Sequence, residues 1–562
     1  MAVTIEPRQI SRIQNNVTSL VGADNRIRKL VFDSFNNGQD PEHIGSFFEN
    51  SLLEEERKDH GQYYTPKSIV EYIISQLDIK RDSKIVDPSC GCGSFLLTAF
   101  DIFQKKYGAD FLNNIYGVDA NRKATKITRA CLYMKAGYRE DYIDVVIRNI
   151  KVGNSIVQDK NVDKLAFDWR KEFYDVFQDG GFDFVIGNPP YVTLSKDSSF
   201  DFSESIYSDI IDGPINAATL MIGRSLEILK LGGTLAFLLP KSVLFVDSYN
   251  KLRQYLLANT RLVQIFDLGA KFKDVRGEQI ILVIKKSLPI AKDDKIKISV
   301  FTGNSKTLSD QSSLNVSQKE LFSTNRFLTL EKRSYYSLIE KISSIGTNLD
   351  QFVDGQIFRG LPVGGNQLTD PKSGEGELVI RGKNISKFNI KNRLSLSVDI
   401  IEKQSPAKIK NLRHKKIVLQ NIFSSEAGVI ASYDSHGTLS LDTVTNIIVD
   451  DEKKGKYILS VLNSKLVNFY LIYGVFDCSR LTMHLDRSYI GLIPVINNLD
   501  ARNLQSLIKI TDSLANCDDT VVLKKKNKEI DRLVYDIYSL DKDEIILIET
   551  AMEKILSKKS LW

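Results

Sequence analysis

The run Val185-Ile186-Gly187-Asn188-Pro189-Pro190-Tyr191-Val192 joins an apolar, strand-like segment to a polar loop stiffened by two prolines and closed by an aromatic ring. An asparagine side-chain oxygen and the Pro189 carbonyl both accept hydrogen bonds, which suits an exocyclic aromatic amine, and the Tyr191 ring offers a face on which a base can stack. Each proline holds φ near about −65° and neither nitrogen can donate a competing hydrogen bond, so the loop is rigid before a substrate arrives. Asn-Pro pairs also mark ordinary turns. The meaning of this loop therefore depends on what precedes it.

Upstream, Asp87-Pro88-Ser89-Cys90-Gly91-Cys92-Gly93-Ser94-Phe95-Leu96 is a glycine turn between a strand and a helix. Glycines let the backbone approach a ligand closely. The turn lacks the third glycine of the dinucleotide pattern and the Lys-Ser/Thr of a phosphate loop, and Asp87 suits an amine better than a phosphate. Asp119 closes the next strand, where a carboxylate takes both hydroxyls of a ribose. Gly153-Asn154-Ser155 follows a third expected strand and offers an amide to the edge of an adenine. An amine, a ribose and an adenine in that order describe S-adenosylmethionine. Cys90 and Cys92 have no second Cys or His pair to complete a tetrahedral site, so they read as small packing residues and no metal is expected.

The elements that must position these groups form an α/β pattern. Strand-like runs at Lys84–Val86, Ile115–Val118, Val145–Ile147, Phe182–Ile186, Leu235–Leu239, Leu262–Phe266 and Ile280–Ile284 alternate with helical stretches, which predicts a doubly wound seven-stranded sheet. The last two runs are too close for a helical crossover, so the final strand is expected to be antiparallel. Residues 1–58 read as a helical N-terminal cap, ending in a Glu56-Arg57-Lys58 triplet with no strands around it to make a nuclease. After a catalytic domain over 59–290 and a polar connector over 291–345, residues 346–500 carry short strand-like runs between Gly, Asn and Ser turns, a mostly β domain with a helix at Gly455–Ile472; residues 501–562 return to helix.

A length of 562 residues implies about three or four domains. With 42% hydrophobic and 26% charged residues and no run approaching the roughly 18 apolar residues of a membrane span, no membrane partner is expected. The N-terminal MAVTIEPRQISRIQ has no signal-peptide apolar core, and five scattered cysteines read as reduced thiols, so a cytoplasmic, bacterial-type location is expected. A net charge of +6 permits a polyanionic partner without demanding one. Basic residues cluster at Lys410, Arg413, His414, Lys415 and Lys416 and at Lys524–Lys528.

Taken in order, Gly61-Gln62-Tyr63-Tyr64-Thr65-Pro66, the Asp87–Leu96 turn and Asn188-Pro189-Pro190-Tyr191 resemble the motifs of gamma-class, Taq-type DNA adenine-N6 methyltransferases of restriction-modification-like systems. The resemblance covers about residues 59–290, and Val534–Glu549 is similar to the tail helices of such enzymes. It implies a methyltransferase sheet, S-adenosylmethionine as methyl donor, duplex DNA as partner, and an adenine that flips out to meet the catalytic loop Asn188, Pro189, Pro190 and Tyr191. The implied cofactor residues are Tyr64, Thr65, Pro66, Asp87, Pro88, Gly91, Gly93, Phe95, Asp119, Asn154, Ser155 and Met221. Asn154 stands where many relatives have Asp, so its amide oxygen must serve the adenine N6; Met221 stands where the Taq-type enzyme has an aromatic, and is equally readable as core. Tyr191 and Phe272 are implied to sandwich the flipped base, Phe272 being otherwise a packing residue at a sheet edge.

More loosely, residues 346–500 resemble target-recognition domains, with Arg359, Arg381, Lys383 and Lys416 as DNA-contact candidates. A cognate restriction endonuclease is a possible partner. Cytosine-N4 methylation uses the same geometry, though usually with Ser at position 188. Protein glutamine-N5 methyltransferases share the loop but lack the upstream segment and a large C-terminal domain. A DNA-binding module keeping an inactive fold is the third alternative.

Overall fold

The structure is a computed structural model that describes residues 7–22, 24–37, 40–50, 65–194, 206–211, 215–269, 277–287, 295–300, 308, 312–318, 335–369, 376–449, 451–479, 482–515, 517 and 519–557. The chain divides into two units, Met1–Leu330 and Glu331–Trp562.

Nine strands organise the first unit: β1 (Ile85–Asp87), β2 (Ile115–Asp119), β3 (Ile150–Val152), β4 (Phe182–Gly187), β5 (Leu229–Pro240), β6 (Arg261–Gly269), β7 (Gln279–Lys285), β8 (Lys295–Val300) and β9 (Ser312–Ser317). They lie in one sheet in the order β9-β8-β6-β7-β5-β4-β1-β2-β3. β1 pairs in parallel with β2 and β4, β2 with β3, and β4 with β5. β7 runs antiparallel between β5 and β6, as the short β6–β7 link requires. Its Ile280–Ile284 run is buried throughout, because helices or strands cover both faces of a central strand and leave no polar alternation. The chain order reverses between β1 and β4. Ligands of doubly wound sheets bind outside the carboxyl ends of strands at such a switch point, which here are Asp87 and Gly187.

The doubly wound sheet expected from the sequence is present, with two corrections. Val145–Ile147 is not a strand but the last turn of a helix, Asp141–Asn149, and the third strand is Ile150–Val152. Tyr142, Val145, Val146 and Asn149 are buried while Ile147 is exposed, so the buried positions follow a helical period that outweighs the strand preference of β-branched residues. Among the described residues the sheet also has nine strands rather than seven. β8 pairs in parallel with β6, and β9 antiparallel with β8, inside the stretch expected to be a connector. Ile296 and Ile298 are buried; this alternation was available in the sequence but was masked by its lysines and serines.

Helices α1 (Pro7–Val21), α2 (Asn25–Asn36), α3 (Glu42–Asn50), α4 (Lys67–Ser75), α5 (Ser94–Tyr107), α6 (Arg122–Lys135), α7 (Asp141–Asn149) and α8 (Ala217–Ile228) flank this sheet. Ile13, Val17, Leu20 and Val21 form the buried stripe of α1, and Asn16 donates to the Tyr133 hydroxyl on α6 at 2.9 Å. At Gly45 on α3, an added Cβ would lie 2.9 Å from Cys92 Cβ, so the N-terminal helices pack directly on the glycine turn.

In the second unit β10 (Ile357–Arg359), β11 (Lys416–Gln420), β13 (Ala431–Asp434) and β14 (Val444–Ile448) form an antiparallel sheet in the order β10-β14-β11-β13, and β12 (Ile422–Phe423) pairs with β15 (Met483–His484) in a separate ribbon. A second four-stranded sheet joins Leu368–Thr369, Glu377–Ile380, Leu394–Leu396 and Leu439–Ser440. Helices Glu452–Leu462 and Lys465–Phe469 supply core residues, and Ala501–Leu514, Thr520–Ile537 and Lys542–Ser557 form the tail. Among the described residues no single helix is long and apolar enough to cross a membrane.

Candidate active site

A cavity of about 700 Å³ opens at the β1/β4 switch point. Thr65, Asp87, Pro88, Gly91, Phe95, Asp119, Asn154, Ser155, Asn188, Pro190 and Met221 all line it, although they are scattered over more than a hundred residues of sequence. Gly93 lies beneath it at the start of α5, with φ 92° and only 2.9 Å between an added Cβ and Thr128 Cγ2, so only glycine fits there. Pro66 starts α4 beside Thr65. Tyr64 and Phe272 lie outside the described residues.

Each wall is held by a specific contact. β1 and β4 approach so closely that an added Cβ at Gly187 would sit 2.7 Å from Asp87 Oδ1. Asp87 is buried and accepts from the Ser89 amide at 2.9 Å. Burial, reinforced by the neighbouring Asp119 charge, pushes its carboxyl up to about 8. A cation placed against it would restore the carboxylate. Asp119 accepts from the Gly91 amide at 2.8 Å and from the Asn121 amide at 2.7 Å, tying the glycine turn to the end of β2. Cys90 and Cys92 are buried, and burial holds the Cys90 thiol well above its usual range, in keeping with packing rather than nucleophilic duty.

At the far wall, Asn154 Oδ1 accepts from the Ile156 amide at 3.1 Å and its Nδ2 donates to Asp163 Oδ2 at 2.7 Å. The amide is thus fixed in orientation, and a carboxylate stands immediately behind it. Ser155 Oγ donates to the Pro88 carbonyl, joining this wall to the glycine turn. Met221 is buried in α8 and reaches the cavity, so it is both a core residue and a wall.

The Asn188–Tyr191 loop leaves β4 at Asn188. Asn188 Nδ2 donates to Thr65 Oγ1 at 3.1 Å. Its Oδ1 accepts from the Tyr191 hydroxyl, which also lies 2.8 Å from the Leu238 carbonyl on β5. Pro189 is buried and Tyr191 half-buried; burial pushes the Tyr191 phenol well above its usual range, so it is a neutral hydroxyl. The cavity also has walls that sequence reasoning missed: Asp24, Arg26, Ile27 and Phe48 from the N-terminal helices, and Arg122 and Lys123 at the start of α6. Asp24 carries a helix-capping signature, accepting from the Arg26 and Ile27 amides at 3.1 and 3.2 Å, but nothing in that signature points to a ligand.

Comparison with known proteins matches a segment in each of the two units. The Eco57I restriction-modification methylase model matches residues 113–273, and the TaqI-like C-terminal specificity domain model matches residues 377–495. The chain carries an Eco57I-type restriction-modification methylase domain and a TaqI-like specificity domain.

The chain is 27% identical over 285 residues to the type II methyltransferase M.VspI of Vibrio sp. (strain 343), matching 50% of this chain and 61% of the relative. It is 26% identical over 265 residues to the type II restriction enzyme and methyltransferase RM.Eco57I of Escherichia coli, 39% of this chain and 26% of the relative. It thus spans about three fifths or less of these curated relatives. In fold it is similar to the type IIL restriction-modification enzyme MmeI solved in complex with DNA, with a TM-score of 0.58 at 13% identity over 92% of this chain and 82% of that one. It is also similar to DrdV in a DNA complex, with a TM-score of 0.53 at 12% identity over 84% of this chain and 59% of that one.

The second unit treats the four expected DNA contacts differently. Lys416 is a correction: it is fully buried on β11 and donates to Asp434 Oδ2 at 2.8 Å and to the Leu412 and Thr438 carbonyls at 2.6 and 2.8 Å. A lysine so enclosed cannot reach a phosphate. It sits at the end of a basic cluster, but the apolar run after it draws it into the sheet. Arg413 is paired with Glu377 at 2.9 Å. Lys383 is exposed, Arg381 half-buried, and Arg359 exposed with its Nε 2.8 Å from Asp486 Oδ1.

Proposed function

We propose that this chain is a site-specific DNA methyltransferase that transfers the methyl group of S-adenosylmethionine to N6 of an adenine rotated out of duplex DNA. The orientation of Asn188 carries this reading. With its nitrogen engaged by Thr65, the amide presents its oxygen, an acceptor, where an amine substrate needs one. The donor set around the cavity also fits S-adenosylmethionine: a carboxylate for a ribose diol at Asp119, a fixed amide for an adenine edge at Asn154, and a buried acid for an ammonium at Asp87. When bound, that group supplies a methyl already activated on a sulfonium.

The chain's own residues do the rest. Asn188 Oδ1 and the Pro189 carbonyl accept from the target NH2 and favour a pyramidal nitrogen, whose lone pair is released from the ring, over the planar ground state. Losing one such acceptor costs roughly 3 kcal/mol of barrier, about a hundredfold in rate. The Tyr191 hydroxyl has one proton and two acceptors in reach. Directing that proton to Leu238 leaves Asn188 Oδ1 to the substrate, and the ring remains to stack on the base. The match of residues 377–495 to a specificity domain supports DNA, rather than a protein glutamine, as the acceptor.

The test is expression in a methylation-free host with single-molecule sequencing of the genome. Wild type should place N6-methyladenine at one motif and Asn188→Ala should leave it unmodified. N4-methylcytosine at the motif would move the reading to the cytosine enzymes, and an unmodified genome would end the DNA methyltransferase reading.

A further inference from the structure

In the second unit, β10, β12 and β15 bring an arginine, a histidine and an isoleucine to one exposed patch above a buried polar base. Asn421, which is 1% exposed, anchors it. Its Nδ2 donates to Thr445 Oγ1 at 2.9 Å and to Asp486 Oδ1 at 3.0 Å, and Thr445 donates in turn to the Leu485 carbonyl at 2.8 Å. With two acceptors on its nitrogen, the amide can only present its oxygen to the surface.

That oxygen receives the Arg359 Nη2 and lies 2.6 Å from His484 Nδ1, while Arg359 Nη2 and His484 Nδ1 are 3.0 Å apart. Asp486 holds the Arg359 Nε at 2.8 Å. Both outer side chains are exposed. Ile422 is 52% exposed and is the cross-strand partner of His484, so the two share a face of the ribbon.

A surface arginine ordinarily loses rotamer entropy when a partner immobilises it. Here the Nε–Nη2 edge is already held by the half-exposed Asp486 and the buried Asn421, which is the preorganisation a recognition residue needs. The company it keeps also discriminates between roles. A phosphate contact calls for charge and hydrogen-bond donors alone, whereas the major-groove edge of base pairs mixes the acceptors of guanine, which arginine reads, with the methyl of thymine, which an apolar side chain meets. We propose that Arg359, His484 and Ile422 form a base-reading surface, with Arg359 directed at a guanine and Asn421 and Asp486 acting as positioning residues. This rests on the DNA methyltransferase reading.

The experiment maps the methylated motif of the full-length chain in a methylation-free host for wild type, Arg359→Gln, Arg359→Lys and Ile422→Ala, with thermal melting and S-adenosylmethionine binding of each purified protein. Both arginine variants should relax one G·C position of the motif, losing about tenfold or more in discrimination there, and Ile422→Ala should relax a position beside it; cofactor affinity should not change. Lysine keeps the charge but not the planar fork, and serves if the glutamine variant fails to fold. A uniform loss across all sites with the motif intact, rescued by lysine, would mark a phosphate contact and overturn the proposal, as would a motif and rate unchanged in every folded variant. A wild-type chain that modifies no site overturns the methyltransferase reading and this inference with it.

Discussion

Asn188 Nδ2 donates to Thr65 Oγ1 at 3.1 Å, a hydrogen bond that spans 123 residues of sequence. It joins the Asn188–Tyr191 loop to the segment that precedes α4, across the cavity that both Asn188 and Thr65 line. Thr65→Val should therefore lower kcat about tenfold, about 1.4 kcal/mol of barrier, by freeing the amide to rotate. Thr65→Ser should retain the rate. A Thr65→Val enzyme with wild-type kcat in a single-turnover assay would show that Thr65 does not orient Asn188.

The raised carboxyl of Asp87 makes stability depend on pH. Its folded value of about 8 lies above the unfolded one, so between about 4 and about 8 the ligand-free folded chain keeps a proton that the unfolded chain has released. This contribution is fully present at low pH and is lost as pH rises through about 8. The ligand-free Tm should fall over that window in wild type and fall less in Asp87→Asn. Binding of S-adenosylmethionine, whose ammonium favours the carboxylate, should release a proton, seen as a calorimetric heat that varies with the ionisation heat of the buffer.

Asn154 and Asp163 act as a pair at 2.7 Å. Asn154→Asp alone would set two carboxylates against each other and should weaken S-adenosylmethionine binding about tenfold, whereas the double variant Asn154→Asp with Asp163→Asn should recover most of it. Titration calorimetry of the double-mutant cycle reads the coupling. Strictly additive losses would separate the two residues.

Lys416 and Asp434 form a pair that is fully buried on both sides. Lys416→Met should destabilise the chain by about 3–5 kcal/mol by stranding a buried carboxylate, and a second change, Asp434→Asn, should recover part of that loss. Chemical denaturation measures both. An undiminished midpoint for Lys416→Met, with a salt dependence of DNA binding reduced by about one phosphate contact, would reinstate Lys416 as a DNA contact.

The placement of short contiguous motifs was readable in the sequence, because the spacing of residues within a turn is set by the backbone itself. The Asp87–Phe95 turn, Asp119 at the end of β2 and the Asn188–Tyr191 loop all follow strands whose apolar runs mark them, and a doubly wound sheet brings the ends of those strands to one crevice. What failed depended on partners distant in the chain. Val145–Ile147 went to a helix because its burial follows helical spacing, and Ile296 and Ile298 became sheet residues because β6 offers them an edge. Whether a basic residue faces solvent or a buried acid was not readable from its neighbours in sequence: Lys416 and Arg359 look alike there, yet one is enclosed with Asp434 and the other is held at the surface by Asn421 and Asp486. By itself, then, the sequence determined the fold class and the residue types of the Asn188–Tyr191 loop and the glycine turn. Only the tertiary structure decided that Thr65 bonds Asn188, that Asp163 stands behind Asn154, and that the N-terminal helices wall the cavity. Hydrogen bonds and desolvation act between atoms a few ångströms apart, and the folded chain sets those distances.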